Sequence, residues 1–474
     1  MPGMGRGVPG GISGVADAGA LAADRGRSPS PTLSADDVAR FREQLLAATV
    51  PETDTERVDL LRALAELMSA ATAVQASVAL AVDVHARGVE AVAGVPAERR
   101  GRDVPVRLGL ALRESPVRAR SFLGAAKAWH AEMPHTLAAL RAGVLSPWRA
   151  TVLVRETAHL PVQERARIDE ELCADRRALA GLGTKALVAR VRRRAAELDP
   201  AAVAARARRA ATDRAVWVRP APDTMTYVTA LLPVAQGVGV YAALRRAADL
   251  APGDGRSRGQ VMADTLVERV TGQATADAVP VMVNMVVSDA SLLGSGHEPG
   301  VLVDGAGAGG VVPAQVARNL VANGLDAGAT WLRRVYADPS GRLIAASSAG
   351  RFFADGLADA LRIRDQGLCR TPYCDAPVRH LDHVRPAAHG GPTELENGQG
   401  LCEACNLAKN AGGFAQAVTG DRLHTVITTT ATGHRYRSTA PPLPRPANVR
   451  PRERPDASPL DIVWRSALAE LVAA

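Results

Sequence analysis

The chain has 474 residues, a formal net charge of +8 and a sequence pI near 9.7, and only 3% of its residues are aromatic against a hydrophobic share of 47%. That length suits two or three domains, with cores built from Ala, Val and Leu rather than from rings. The charge favours a polyanionic partner, while the five cysteines are too few to frame a disulfide scaffold. No apolar run approaches the ~20 residues that cross a bilayer, and the opening MPGMGRGVPGGISG lacks the charged-then-apolar order of a signal peptide. The expectation is a chain in reducing cytoplasm with no membrane partner.

Residues 1–33 are rich in Gly, Pro, Ala and Ser and read as a disordered lead-in. Order is predicted to begin at Ser34, which can cap a helix carrying Asp36 and Asp37 in its first turn. The stretch TERVDLLRALAELMSAATAVQASVALAVDVHARG keeps helical spacing for many turns and is expected to end near Gly88. From Val104 to Asp199 the pattern stays helical, so 34–200 is read as a helical domain. Two segments, LGLALRESPVRARSFLGAAKAW and TLAALRAGVLSPWRATVLVRE, share a helix–Ser-Pro–helix form. Pro is well tolerated in a first turn, and each unit reads as an αα-hairpin, with a DNA-reading helix-turn-helix as the alternative. The arginines of KALVARVRRRAAELDPAAVAARARRAATDR form either a solvated face or a phosphate-facing stripe.

Beyond residue 200 the period changes, and 201–354 reads as an α+β continuation. Two β-rich runs flank Pro222-Asp223, and a helix follows. VPVMVNMVVS and WLRRVYADPSGRLIAAS read as strands, the second turning back at Asp338-Pro339-Ser340-Gly341. DGAGAGGVVPAQVARNL lacks both the Lys-Ser/Thr of a P-loop and dinucleotide-binding spacing, and is taken as a loop before a helix. Residues 355–437 form a cysteine-containing module, 438–457 a Pro/Arg-rich linker and 458–474 a terminal amphipathic helix. The fold class is thus mainly α with an α+β central part, followed by a small C-terminal module.

Four of the five cysteines lie in that module, as Cys369/Cys374 and Cys402/Cys405, whereas Cys173 reads as a small buried apolar residue. Two chelating arms of soft thiolates match what a closed, structural, tetrahedral Zn²⁺ site requires. Between and after the arms, VRHLDHV reads as a strand, RPAAHGGPTELENGQG as a loop and CEACNLAKN as a turn into a helix. Asp382, His383, Asn397 and Asn406 are the polar residues this unit delivers. A neutral imidazole can deprotonate water near pH 7, and a cation held by carboxylate and amide oxygens can stabilise a phosphodiester's developing charge. Adjacent strand residues point to opposite faces, so Asp382 can face a metal while His383 reaches a water beyond the phosphate.

LDHVRPAAHGGPTELENGQGLCEACNLAK resembles the HNH endonuclease motif, the zinc-stapled ββα-metal module. The resemblance implies His383 as general base, Asp382 as ligand of a catalytic divalent metal, and Asn397 as the residue that fixes the loop and orients the base. Asn406 takes the last position, where the name-giving pattern has His, and its carbonyl oxygen favours Mg²⁺ or Mn²⁺ there over softer ions. DNA is the implied partner, with Arg364, Arg379, Arg385 and Lys409 as phosphate contacts. His380 is read as supporting, and His389 and His434 as surface or packing residues. Residues 36–440, including AEMPHTLAALRAGVLSPWRATVLVRETAHL, resemble an actinobacterial family that joins a helical domain of unknown function (family 222) to such a nuclease. The alternative function is a zinc-stabilised DNA-binding protein without nuclease activity.

Overall fold

The computed structural model describes residues 32–444, apart from 223–224, 252, 254, 274, 276–283, 304–309, 327–351, 354 and 413. The expected lead-in (as far as residue 31), the body of the Gly-rich loop, the 338–341 hairpin, most of the linker and the terminal helix lie outside the described residues. Two units are distinguished, one ending at Leu64 and one starting at Ala65. In the first, α1 (Ala35–Ala47) starts at a reciprocal cap: Asp37 N donates to Ser34 Oγ (3.1 Å) while Ser34 N donates to Asp37 Oδ2 (3.0 Å). α2 (Asp54–Val92) begins in this unit and continues into the second, running through Gly88 rather than ending there. By length and composition α2 is also apolar enough to cross a membrane, which corrects the expectation that no segment is. Its buried stripe, Ala73, Ala76, Ala79, Asp83 and Ala86, faces other helices of the second unit.

The bundle continues as α3 (Val104–Leu112), α4 (Pro116–Ala131), α5 (Pro134–Arg141), α6 (Pro147–Thr157), α7 (Val162–Cys173), α8 (Thr184–Leu198) and α9 (Pro200–Thr212). Ser115 and Ser146 cap α4 and α6 by accepting from Arg118 N and Arg149 N, with Pro116 and Pro147 in the first turns. Both helices bury their apolar faces in the bundle. Trp129 packs fully buried among Ala73, Ala76, Ala126, Leu140 and Ala150 and donates Nε1–H to Ala150 O at 3.3 Å. Small residues around one ring let helices approach closely, which explains how a chain so poor in aromatics closes a core. Cys173 lies in a second cluster with Met133, Leu153 and Leu187, as expected of a small apolar residue. The basic stretch breaks at Asp199-Pro200. Arg192 and Arg194 are spent on Glu156 and Glu171, so part of this stripe ties helices together.

An antiparallel hairpin follows, β1 (Ala215–Pro220) and β2 (Thr226–Leu231), and then α10 (Val234–Leu250) and α11 (Arg258–Thr271). A small antiparallel sheet of β3 (Met285–Val286), β4 (Gly300–Leu302) and β5 (Val311–Val312) is accompanied by α12 (Asp289–Leu293) and α13 (Ala314–Asp326). The C-terminal module contains α14 (Asp355–Arg364), β6 (His380–His383), β7 (Gly398–Leu401) and α15 (Glu403–Asn410). The last residues of the expected loop are therefore a strand, paired antiparallel with β6 as His383↔Gly398 and His380↔Leu401. An unanticipated sheet, β8 (Phe414–Thr419), β9 (Thr425–Thr430) and β10 (Arg435–Thr439), completes the module and includes the first residues assigned to the linker. Val106 and Leu110 of α3 pack against Cys369, Cys374, Leu401, Cys402, Cys405 and Ala408, so the module is seated on the bundle.

Polar groups also sit inside this module. Asp365 accepts from Arg364 Nε (2.8 Å) and from Gly400 N (2.7 Å), and Arg370 reaches the carbonyls of His424 and Ser438. Buried His424 lies beside this cluster with Nε2 2.9 Å from Glu396 O. Burial, reinforced by the Arg364 charge, pushes the His424 imidazole down to about 4. The unfolded chain therefore takes up this proton first, and stability falls as pH drops from ~6.5 to about 4, by roughly 3 kcal/mol in all. His424→Gln should flatten that slope. The check is urea unfolding of both proteins across this window, where identical pH profiles would reject the assignment.

Candidate metal centre

The sulfurs of Cys369, Cys374, Cys402 and Cys405 all lie within 4.8 Å of one another and are buried. Positive-φ residues Gln366 and Gly367 turn the chain out of α14 toward Cys369, and Cys374 N donates to Thr371 O (3.0 Å) to close the first arm. Cys402 is the N-cap of α15, with Cys405 one turn on, so the second arm is the start of that helix. The Sγ atoms of Cys374 and Cys402 are 3.8 Å apart. A tetrahedral ion with metal–sulfur bonds near 2.3 Å holds its ligands about 3.8 Å apart, which is the spacing of this pair, and all four sulfurs lie close enough to converge on one zinc ion. Their protonation is shared. Hydrogen bonding from Cys369 pulls the Cys402 thiol down, and its counterpart pushes Cys405 up, because one thiolate opposes ionisation of the next. A divalent cation removes that opposition.

The same elements position the polar residues. Asn397 is buried and clamps the loop between β6 and β7: its Oδ1 accepts from Arg385 N (2.9 Å), and its Nδ2 donates to Arg385 O (3.1 Å) and Pro392 O (2.8 Å). Gly391 is required under this clamp, since a Cβ there would sit 1.9 Å from Arg385 O. His383 is only 8% exposed; its Nε2 is 2.9 Å from Thr393 Oγ1 and its ring lies 4.5 Å from that of Phe353. Asp382, its neighbour on β6, is half-buried and holds the Lys409 ammonium at 2.5 Å, and that ammonium also reaches His383 O. Asn406 precedes Lys409 by three residues and therefore shares its side of α15. The carboxylate and amide oxygens are donors suited to a hard cation such as Mg²⁺, although at present a lysine supplies the positive charge.

A family model described as "Domain of unknown function (DUF222)" matches residues 61–365, more than half of the chain. The chain belongs to the DUF222 family. An HNH endonuclease model matches residues 369–412, so this DUF222 protein carries an HNH domain directly behind its helical part. No curated protein and no solved structure matches the chain.

Within the HNH domain and its approach, the expected phosphate contacts separate into two groups. Arg379 and Arg385 are exposed, as is His380, at the rim of β6. Arg364 is not available, which corrects the expectation. It is 5% exposed and donates to Asp365, Leu395 O (2.7 Å) and Gly398 O (2.8 Å), holding α14 against β7. Lys409 is corrected too: its side chain is 9% exposed and turned onto Asp382. Burial pushes its pKa below the ordinary lysine value, and Asp382 opposes that shift. The sequence reading missed Phe353, Thr393 and Asp365. Only Thr393 carried a signal, as a hydroxyl ten residues from His383 in the loop returning to its partner strand.

Replacing one zinc ligand should leave three sulfurs around a buried void. Cys405→Ser is expected to drop bound zinc from one equivalent toward zero and to unfold the module. Metal analysis of the purified full-length chain tests this, and an unchanged zinc content would rule out the staple.

Proposed function

We propose that this DUF222–HNH protein is a metal-dependent endonuclease that hydrolyses DNA phosphodiester bonds, with His383 as general base. The observation carrying this reading is the pairing on β6. Asp382 already holds a cationic group at the surface of α15, while its neighbour His383 is rotationally fixed by Thr393 and Phe353. A neutral His383 imidazole has one unprotonated ring nitrogen, and that nitrogen is the acceptor for the proton of the attacking water. Asn397 acts one step removed by keeping the 385–392 loop, and with it Thr393, in register with β6. Arg379 and Arg385 then meet flanking phosphates at the exposed rim. Asp382 and Asn406 would hold Mg²⁺ or Mn²⁺, which supplies charge stabilisation at the scissile phosphate and the departing oxygen. Zinc at the four sulfurs stays structural, and thiolates of this kind suit a reducing, cytoplasmic setting.

A second reading, DNA binding without cutting, draws on one specific observation: Lys409 neutralises Asp382, the carboxylate that a catalytic cation requires. Two experiments separate the readings. In a plasmid-nicking assay with Mg²⁺, wild type should cut, and His383→Ala should cut about 10²–10⁴-fold more slowly while still binding DNA. Binding without any metal-dependent cutting by the wild type would select the second reading. Removing the tethered cation should also free Asp382 for a metal. Lys409→Met is expected to bind Mn²⁺ several-fold more tightly by calorimetry on the zinc-loaded protein, and an unchanged affinity would show that the ammonium and the metal do not compete.

A further inference from the structure

On the far side of α15 from Lys409 is a cleft of about 560 Å³ between this helix and the DUF222 helices α2, α3 and α4. Its lining holds five cationic side chains, Arg87, Arg100, Arg102, Arg120 and Lys127, against one carboxylate, Glu98. Two of the five are fixed from below. Buried Asp83 accepts from Arg87 Nε (2.9 Å) and binds Lys127 Nζ (2.6 Å), which orients both without filling the cleft. Gly101, at φ +69°, gives up the space that Arg87 occupies: a Cβ there would lie 2.9 Å from the guanidinium. Arg102 and Arg120 are exposed, and among the described residues neither has an ion-pair partner. Unneutralised arginines gathered into a concave surface raise the local concentration of anions.

The opposite wall is formed by Ala404 and Leu407 of α15. The helix that is capped by Cys402 and contains Cys405 and the candidate residue Asn406 thus separates the polar site from the basic cleft by its own width. An α-helix with side chains is ~10–12 Å across. That equals about three to four steps along one strand of duplex DNA, at ~3.4 Å of axis each. We infer that the cleft is a phosphate track: the DUF222 helices bind the backbone of the same DNA whose bond is presented to the HNH domain, a few nucleotides from the cut. This assigns a role in DNA binding to the helical domain and rests on the proposed nuclease reading for the identity of the ligand.

The test uses the full-length zinc-loaded protein, a fluorescently labelled duplex and buffer without Mg²⁺. Binding is measured across a salt series for wild type and for the double variant Arg102→Ala/Arg120→Ala, both exposed positions. Two lost phosphate contacts should reduce the slope of log affinity against log salt by about 1.8. In the Mg²⁺ assay the variant should show a raised KM with kcat retained. If wild type cuts and the variant matches it in slope and affinity, the track is overturned and the nuclease reading survives. If wild type does not cut but the variant still loses binding, the nuclease reading fails and the track stands. A mononucleotide that binds wild type more tightly than the duplex, and is lost in the variant, overturns the strand assignment in favour of a small nucleotide site.

Discussion

Four sulfur atoms within 4.8 Å of one another constrain everything that follows α14. The HNH match covers only residues 369–412, and a segment of that size buries too little apolar surface to hold two short strands and a two-turn helix in register by itself. The sulfur cluster joins the turn before β6 to the first turn of α15. It thereby fixes the distance between the strand that carries Asp382 and His383 and the helix that carries Asn406 and Lys409. The same sulfurs form part of an apolar contact with Val106 and Leu110 of α3. One metal-binding cluster therefore sets both the internal geometry of the module and its seat on the helical bundle.

Polar clamps fill in what the sulfurs leave loose. Asn397 satisfies three backbone groups of a loop that has no sheet partner, and leaving such groups buried and unpaired costs about 1–3 kcal/mol each. Arg364 plays the corresponding part beneath β7, where two carbonyls and Asp365 absorb its guanidinium. Both residues hold their positions by serving the backbone. The difference between them lies in what they sit next to. Asn397 borders the loop facing His383, whereas Arg364 faces the interior.

Much of this was legible in the residues themselves. Ser34, Ser115 and Ser146 each announce a helix start that the structure contains, because capping chemistry is local and depends on the next three residues. The cysteine pairs announce the metal cluster for the same reason, since chelating spacing is a property of short sequence. Burial was not legible. Arg364 and Arg379 look alike in a sequence, yet one is sealed beneath a strand and the other stands on a rim, a distinction set by tertiary packing. Likewise Phe353 approaches His383 across thirty residues of chain, a contact that no periodicity encodes. The sheet of β8, β9 and β10 was missed although TVITTT of β9 is rich in the β-branched residues that favour strands; β8 and β10 are short and largely exposed and give only a weak pattern.

α15 brings these observations together. Its eight residues supply a zinc ligand in the first turn, a lysine that reaches Asp382 in the last, and a wall of the basic cleft through Ala404 and Leu407. Three faces of so short a helix are each committed, so it cannot rotate to improve one without damaging another. Moving Lys409 off Asp382 therefore has to occur within its own flexible four-carbon chain, by rotation of the side chain rather than of the helix. A lysine allows that, whereas a planar, bidentate arginine at 409 would not release the carboxylate as readily. On the proposed nuclease reading the tethered ammonium is a placeholder for a metal: it keeps Asp382 oriented and neutralised, at the edge of a rigid element whose other side faces the helical domain.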